Sequence, residues 1–166
     1  MAVVTTKATA ITNRDASPRE LSNSRISKAQ LFEAVGTVES VSGDSIGSIY
    51  LMGSIPSNAR VSQVLLSCDG GNTTGIADIG LYDTTENGAA VVDADLFASA
   101  QALTSALVNS DVTHESAVFG IEDVEKPLWE ALGLTEDPKK DYDVALTLTA
   151  ASDAADTVSL KFKYVL

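Results

Sequence analysis

The stretch from Ser45 to Asp83, SIGSIYLMGSIPSNARVSQVLLSCDGGNTTGIADIGLYD, constrains the fold most. It holds three apolar runs, Ser45 to Ile55, Arg60 to Cys68 and Ala77 to Tyr82, each of strand length. Pro56-Ser57-Asn58-Ala59 separates the first two, and proline removes a ladder donor while fixing φ. Asp69 to Gly75 separates the second and third, with Gly70, Gly71 and Gly75 open to positive φ. In the middle run, alternation puts Val64, Leu66 and Cys68 on one side and Val61 and Leu65 on the other. Apolar residues on both sides suit a strand buried between two layers, although periodicity leaves a short buried helix open.

The closing segments alternate more cleanly. Val144, Leu146 and Leu148 share one side of a strand, and Val158, Leu160, Phe162, Tyr164 and Leu166 share one side of another. A one-residue slip of the last would bury Lys161 and Lys163, so its register is well specified. Val35 to Val41 also alternates and predicts a further strand. Two connections read as helical. Asp93 stands at an N-cap position before Ala94 to Leu103, and Leu96, Ala100, Leu103 and Leu107 keep helical spacing. Ile121 to Leu132 carries the stripe Ile121, Val124, Leu128 and Leu132, with Pro127 suited to a first turn and Gly133 to the C′ position. Six to eight strands without βαβ alternation predict a mainly all-β chain: an antiparallel, jelly-roll-like β-sandwich over 35–166 with one or two short helices. Residues 1–34 form an extended N-terminal arm, too poor in apolar residues to make a core.

The net charge of −12 is unevenly placed. Residues 1–30 carry five basic residues against two acidic ones, a net of +3, and the remainder carries six against 21, a net of −15. The acidic total speaks against nucleic acid as a partner, because phosphate affinity comes from Lys and Arg. A basic arm on an acidic body instead suggests contact with acidic protein surfaces or with a neighbouring copy. Met1 to Ala10 lacks the apolar run of a secretory signal, and no stretch has the length of a membrane helix, so no membrane partner is expected. The lone Cys68 reads as a core thiol, consistent with synthesis in a bacterial cytoplasm.

No constellation for chemistry stands out, so no enzyme, cofactor or metal is expected. Asp69-Gly70-Gly71-Asn72 lacks the EF-hand spacing and reads as a glycine turn. Asp93 and Asp95 fit a helix start better than a catalytic carboxylate pair. His114 has no GxSxG serine to serve, and GxxxxGK[ST] and GxGxxG are absent. Trp129 and Tyr50 are the aromatics able to stack on a sugar, with packing or a subunit contact as the ordinary role for Trp129.

The strings IPSNARV (Ile55 to Val61), ADIGLYD (Ala77 to Asp83) and VVDADLFASAQAL (Val91 to Leu103) resemble the capsid decoration, or cement, proteins of tailed bacteriophages. The resemblance spans roughly Ser45 to Leu103 and is weaker in the closing strands. It implies a jelly-roll protein of the virion, seated on the capsid exterior, with the major capsid protein and its own copies (dimer or trimer) as partners. It leaves the arm unassigned. The charge argument makes Arg14, Arg19, Arg25 and Lys28, together with Trp129, the candidate capsid or inter-subunit contacts. The alternative is a head-fibre or tail-associated jelly-roll module that binds host-surface glycans through Trp129 or the Asp69 to Gly75 loop.

Overall fold

The computed structural model describes residues 4–166, so Met1, Ala2 and Val3 of the expected arm lie outside the described residues. Eight strands follow the arm: β1 (Leu31–Ser40), β2 (Ile49–Pro56), β3 (Arg60–Cys68), β4 (Ile76–Asp83), β5 (Val91–Ala102), β6 (Leu107–Asp111), β7 (Asp141–Ala150) and β8 (Asp156–Val165). They form two four-stranded antiparallel sheets, ordered β1-β8-β3-β6 and β2-β7-β4-β5. Successive strands alternate between the sheets except β4 and β5, which are neighbours in one sheet, and this is the jelly-roll arrangement of two Greek keys. The sandwich expected from the alternation is therefore present, and β1 begins at Leu31, ahead of the alternating stretch at Val35.

The core lies between the sheets. Leu66 of β3 and Phe162 and Leu160 of β8 face Ile79 of β4 and Leu146 of β7, all at most 1% exposed. Lys161 and Lys163 point to the outer face, where Lys163 Nζ donates to Gln63 at 3.1 Å and Lys161 Nζ to Asn109 at 3.2 Å. Burying each large side chain on the inner face contributes about 1.5–3 kcal/mol before entropy is counted. In β3 a register shift between Val61 and Gln63 moves Val61 onto the same side as Val64, Leu66 and Cys68. Strict alternation had put Val61 opposite them. The bulge explains how Val61 joins Val64, Leu66 and Cys68 in the core, while Leu65 is buried on the outer side with Gln63 and Ser67.

Two helix expectations are overturned. Ala94 to Leu103 is not helical: β5 occupies Val91–Ala102 and pairs with β4. The pairing shifts register three times, between Ala77/Ile79, Ile79/Leu81 and Leu81/Tyr82, so a broken period of two imitates a period near 3.6. Ala100 takes φ 54° at one irregularity, and its N–H donates to Asp78 Oδ1 at 2.7 Å. Pairing with β4 thus overrides the helix propensity of the alanines. Ile121 to Leu132 holds only a 3₁₀ turn (Asp123–Glu125) and a single α-turn, here α3 (Leu128–Ala131), which starts directly after Pro127. Ile121 is 76% exposed and belongs to no stripe, whereas Leu128 is fully buried. Gly133, at φ 74°, does follow α3 as a C′ residue.

The arm is interrupted by two short helices, α1 (Thr9–Asp15) and α2 (Ser24–Ser27), and neither buries a residue. No helix among the described residues is long and apolar enough to cross a membrane.

Candidate interaction surface

The alternating strand directions collect the connections at two poles. One pole carries the arm, the β2–β3 turn Ser57 to Ala59, and the long β6–β7 connection with α3. The opposite pole carries the β1–β2, β3–β4, β5–β6 and β7–β8 loops.

At the first pole Arg60 joins three segments. Its Nε and Nη2 donate to the Arg25 carbonyl at 3.1 and 2.8 Å, and its Nη1 donates to the Val124 carbonyl at 2.6 Å. Guanidinium suits this task because its donors are fixed in a planar fork. Arg25 answers with Nη1 donating to the Asn58 carbonyl at 3.3 Å. α3 docks on the same turn, with Leu128 N–H donating to Ala59 O at 2.8 Å and Trp129 N–H to Ser57 O at 3.0 Å. The Ser57 hydroxyl donates to Asp137 Oδ1 at 2.6 Å and holds that carboxyl below its ordinary pKa. Arg25 and Trp129, named from sequence, therefore converge on one turn, and both are only half-exposed.

Arg14, Arg19 and Lys28 stand together elsewhere on the arm. They line an open cleft of about 500 Å³ with Ile11, Glu20 and Leu21. Arg14 pairs with Asp15, Nε to Oδ1 at 2.8 Å, and Lys7 reaches the same carboxylate at 2.8 Å. The hydrogen bonds from these two cations draw the Asp15 carboxyl down to about 2. Leu21, beside the cations, is 94% exposed. The surface thus combines cations with bare apolar groups and can take acidic protein surface. Arg60 was not singled out in the sequence, yet it holds the arm. Its place at the first residue after the Pro56 turn was the available signal.

The other named groups are structural. His114 Nδ1 lies 2.9 Å from the Phe119 carbonyl, and its ring stacks on Phe119 at 5.5 Å. Asp95 N–H donates to Asp93 Oδ1 at 3.3 Å within a strand, so Asp93 caps no helix. Cys68 is buried, its Sγ 3.4 Å from the Ser105 carbonyl. Tyr50 and Trp129 make no common platform. The Tyr50 hydroxyl donates to Asp44 at 2.6 Å near one pole and Trp129 docks at the other. The intervening run of β2 separates them by about 20 Å. Among the described residues, no three His, Cys, Asp or Glu side chains gather as a metal ligand set.

No protein-family model matches the chain, and no curated protein matches it. Solved structures do. A chain of the capsid of Ralstonia phage GP4 superposes with a TM-score of 0.59 at 18% identity, covering 84% of this chain and 86% of that one. A chain of the cyanophage Pam1 capsid asymmetric unit gives a TM-score of 0.53 at 16% identity, covering 92% of this chain and 96% of that one. At such identities the likeness is one of backbone architecture: this chain has, over most of its length, the fold of chains found in phage capsids.

Proposed function

We propose that the chain is a virion structural protein of a tailed bacteriophage, a decoration protein that sits on the outer surface of the major capsid shell and holds neighbouring capsid subunits together. The observation that carries this reading is the match in both directions, above 80% of each chain, to chains of two phage capsids. The physical design agrees with it. The sandwich has an extensive buried core, and Arg14, Arg19 and Lys28 of the arm are exposed. Arg14, Arg19 and Lys28 make the charge-assisted contacts to carboxylates of the shell or of a neighbouring copy. Arg25 anchors the arm to its own body, and Trp129 lies beside that anchor as a further contact. Dimers or trimers multiply a weak contact by simultaneous attachment, so modest energies at each site suffice to hold a shell.

The experiment is co-sedimentation of the purified chain with undecorated capsids. The full chain sediments with the capsids and protects them from heat. A chain lacking residues 1–28 loses most of its occupancy, and salt weakens what remains. Failure of the full chain to associate ends the reading, and undiminished binding of the shortened chain removes the arm from the mechanism.

A further inference from the structure

The pole opposite the arm contains an electrostatic problem that the protein's own groups leave unsolved. Its four loops, 41–48, 69–75, 103–106 and 151–155, and the first residue of β8 carry Asp44, Asp69, Asp153 and Asp156 but no Lys, Arg or His. Three of these carboxylates find neutral donors. Asp44 Oδ2 accepts from the Tyr50 hydroxyl at 2.6 Å and from Val41 N–H at 3.0 Å. Asp153 accepts from both the hydroxyl and the N–H of Thr73. Asp69 Oδ2 takes a long bond, 3.4 Å, from Thr157 N–H.

Asp156 is different. It is 1% exposed, and its Oδ2 has no hydrogen-bond partner. Its Oδ1 receives only Gly71 N–H at 3.4 Å. The Ser40 hydroxyl is committed to the main chain of Asp156: its Oγ donates to Asp156 O at 3.2 Å and accepts from Asp156 N–H at 3.1 Å. A buried carboxylate so poorly compensated costs several kcal/mol. An ordered water or a cation from solution can meet this oxygen, and the absence of any basic side chain in these loops favours one that brings positive charge.

The local backbone suits one. The carboxylate points into the Asp69-Gly70-Gly71-Asn72 turn, where a Cβ on Gly71 would sit 2.7 Å from the Ala155 carbonyl. That carbonyl therefore packs against Gly71, whose own N–H meets Asp156 Oδ1. Asp69 reaches the peptide N–H directly after Asp156. Carboxylate and carbonyl oxygens with water are the ligands of a hard cation, which takes six to eight oxygens in loose geometry when it is calcium. The rest of the loop is held for the purpose of shape. Asn72 Nδ2 donates to Ser152 Oγ at 3.0 Å, and Asp153 N–H donates to Asn72 Oδ1 at 2.8 Å.

We infer that this pole binds a calcium-class divalent cation, with Asp156 Oδ2 as the buried ligand, Asp69 as the second carboxylate, and the Ala155 carbonyl and water completing the shell. Bound there, the ion ties the β3–β4 loop to the β7–β8 loop.

The test is a calcium chloride titration of the chelator-treated full chain, read by calorimetry and by melting temperature. The wild-type chain shows one saturable event and a rise in Tm, with magnesium weaker because it demands a stricter octahedron. Asp156→Asn abolishes both responses, and the milder surface change Asp69→Asn weakens affinity by about tenfold or more while the chain stays folded. Asp141→Asn, at the other pole, leaves the titration unchanged. A wild-type Tm indifferent to millimolar calcium overturns the assignment. So does saturable binding that survives in both Asp156→Asn and Asp69→Asn.

Discussion

The two poles of the sandwich are made by the same strands, yet they are held together differently. At the arm's pole, charge meets charge or carbonyl. Arg60 spans Arg25 and Val124, Lys140 Nζ meets Asp83 at 2.5 Å, and Lys126 Nζ meets Asp123 at 2.7 Å. At the far pole, carboxylates and the Asn72 amide are held by hydroxyls and peptide N–H groups, with no basic side chain in the loops. The strands determine where loops emerge, and the loops together with the residues at the strand ends determine the electrostatics. One end presents cations, and the other presents carboxylates with no basic side chain in its loops.

The most drastic way to break the comparison is to remove the strand that joins both poles. β8 runs from Asp156 at one pole to Val165 at the other and pairs with both β1 and β3. Deleting Phe162 to Leu166 takes away buried Phe162 and Val165 along with the ladder on both sides. Cooperative melting should be lost, and a shortened chain with an unchanged melting curve would show that the poles are independent of the strand.

Asn72→Ala should have the next largest effect. It leaves Asp153 N–H without its acceptor and takes the Asn72 amide away from Ser152 Oγ, which keeps its bond to the Ala154 carbonyl, in a site where Asn72 itself is 2% exposed. Stability should fall by about 2–3 kcal/mol in denaturant titration. A change within error would mean that the far pole is not tied by this network.

Arg60→Ala sharpens the contrast from the other side. It leaves the Arg25 and Val124 carbonyls without their donor, but neither arm helix buries a residue. Global stability should drop by about 1–2 kcal/mol. Limited proteolysis between Asp15 and Lys28 should rise sharply while the body stays intact. Equal protease resistance in both proteins would deny Arg60 its role as the clamp.

Acid should produce the smallest and most general effect. The Thr73 hydroxyl and N–H hold Asp153 below its ordinary value, the Tyr50 hydroxyl and Val41 N–H do so for Asp44, and the Ser57 hydroxyl does so for Asp137. At Asp123, burial pushes upward, but Lys126 and Gly120 N–H outweigh it and the net shift is down. A lowered folded pKa means that the unfolded chain takes up protons first. The stabilisation is therefore complete above the ordinary carboxylate value, about 3.9, and is lost as pH falls below it. Asp93, raised chiefly by burial, works in the opposite sense but stands alone against these four and against Asp15 and Asp111, which are also lowered. Melting temperature should thus fall between pH 5 and pH 3, and a Tm that rises over that range would contradict the assignment. High salt should blunt the part of the fall that belongs to the Lys126–Asp123 pair and leave the share of Asp44 and Asp153 untouched.

Much of this was legible before the structure. Arg60 to Cys68 was bounded correctly because proline and glycine punctuate it on both sides, and β8 was oriented correctly because Lys161 and Lys163 admit one register. β5 was misread because its bulges against β4 shift the pattern, and nothing local to Val91–Ala102 announces a bulge that exists only in the pair. Within the candidate surface, the charge imbalance identified the arm, but the engagement of Arg25 with Asn58 and of Arg60 with Arg25 depends on groups 33 and 35 residues apart in the chain.

Alternating hydrophobicity, turn residues and the segregation of charge determined by themselves that this chain is a β-sandwich with a cationic leader, since those signals act within a few residues of one another. Only the tertiary structure decided which loops share a pole. It also decided that Asp156 is a buried carboxylate with an unpaired oxygen, because burial and the identity of neighbours arise when residues remote in sequence are packed into contact.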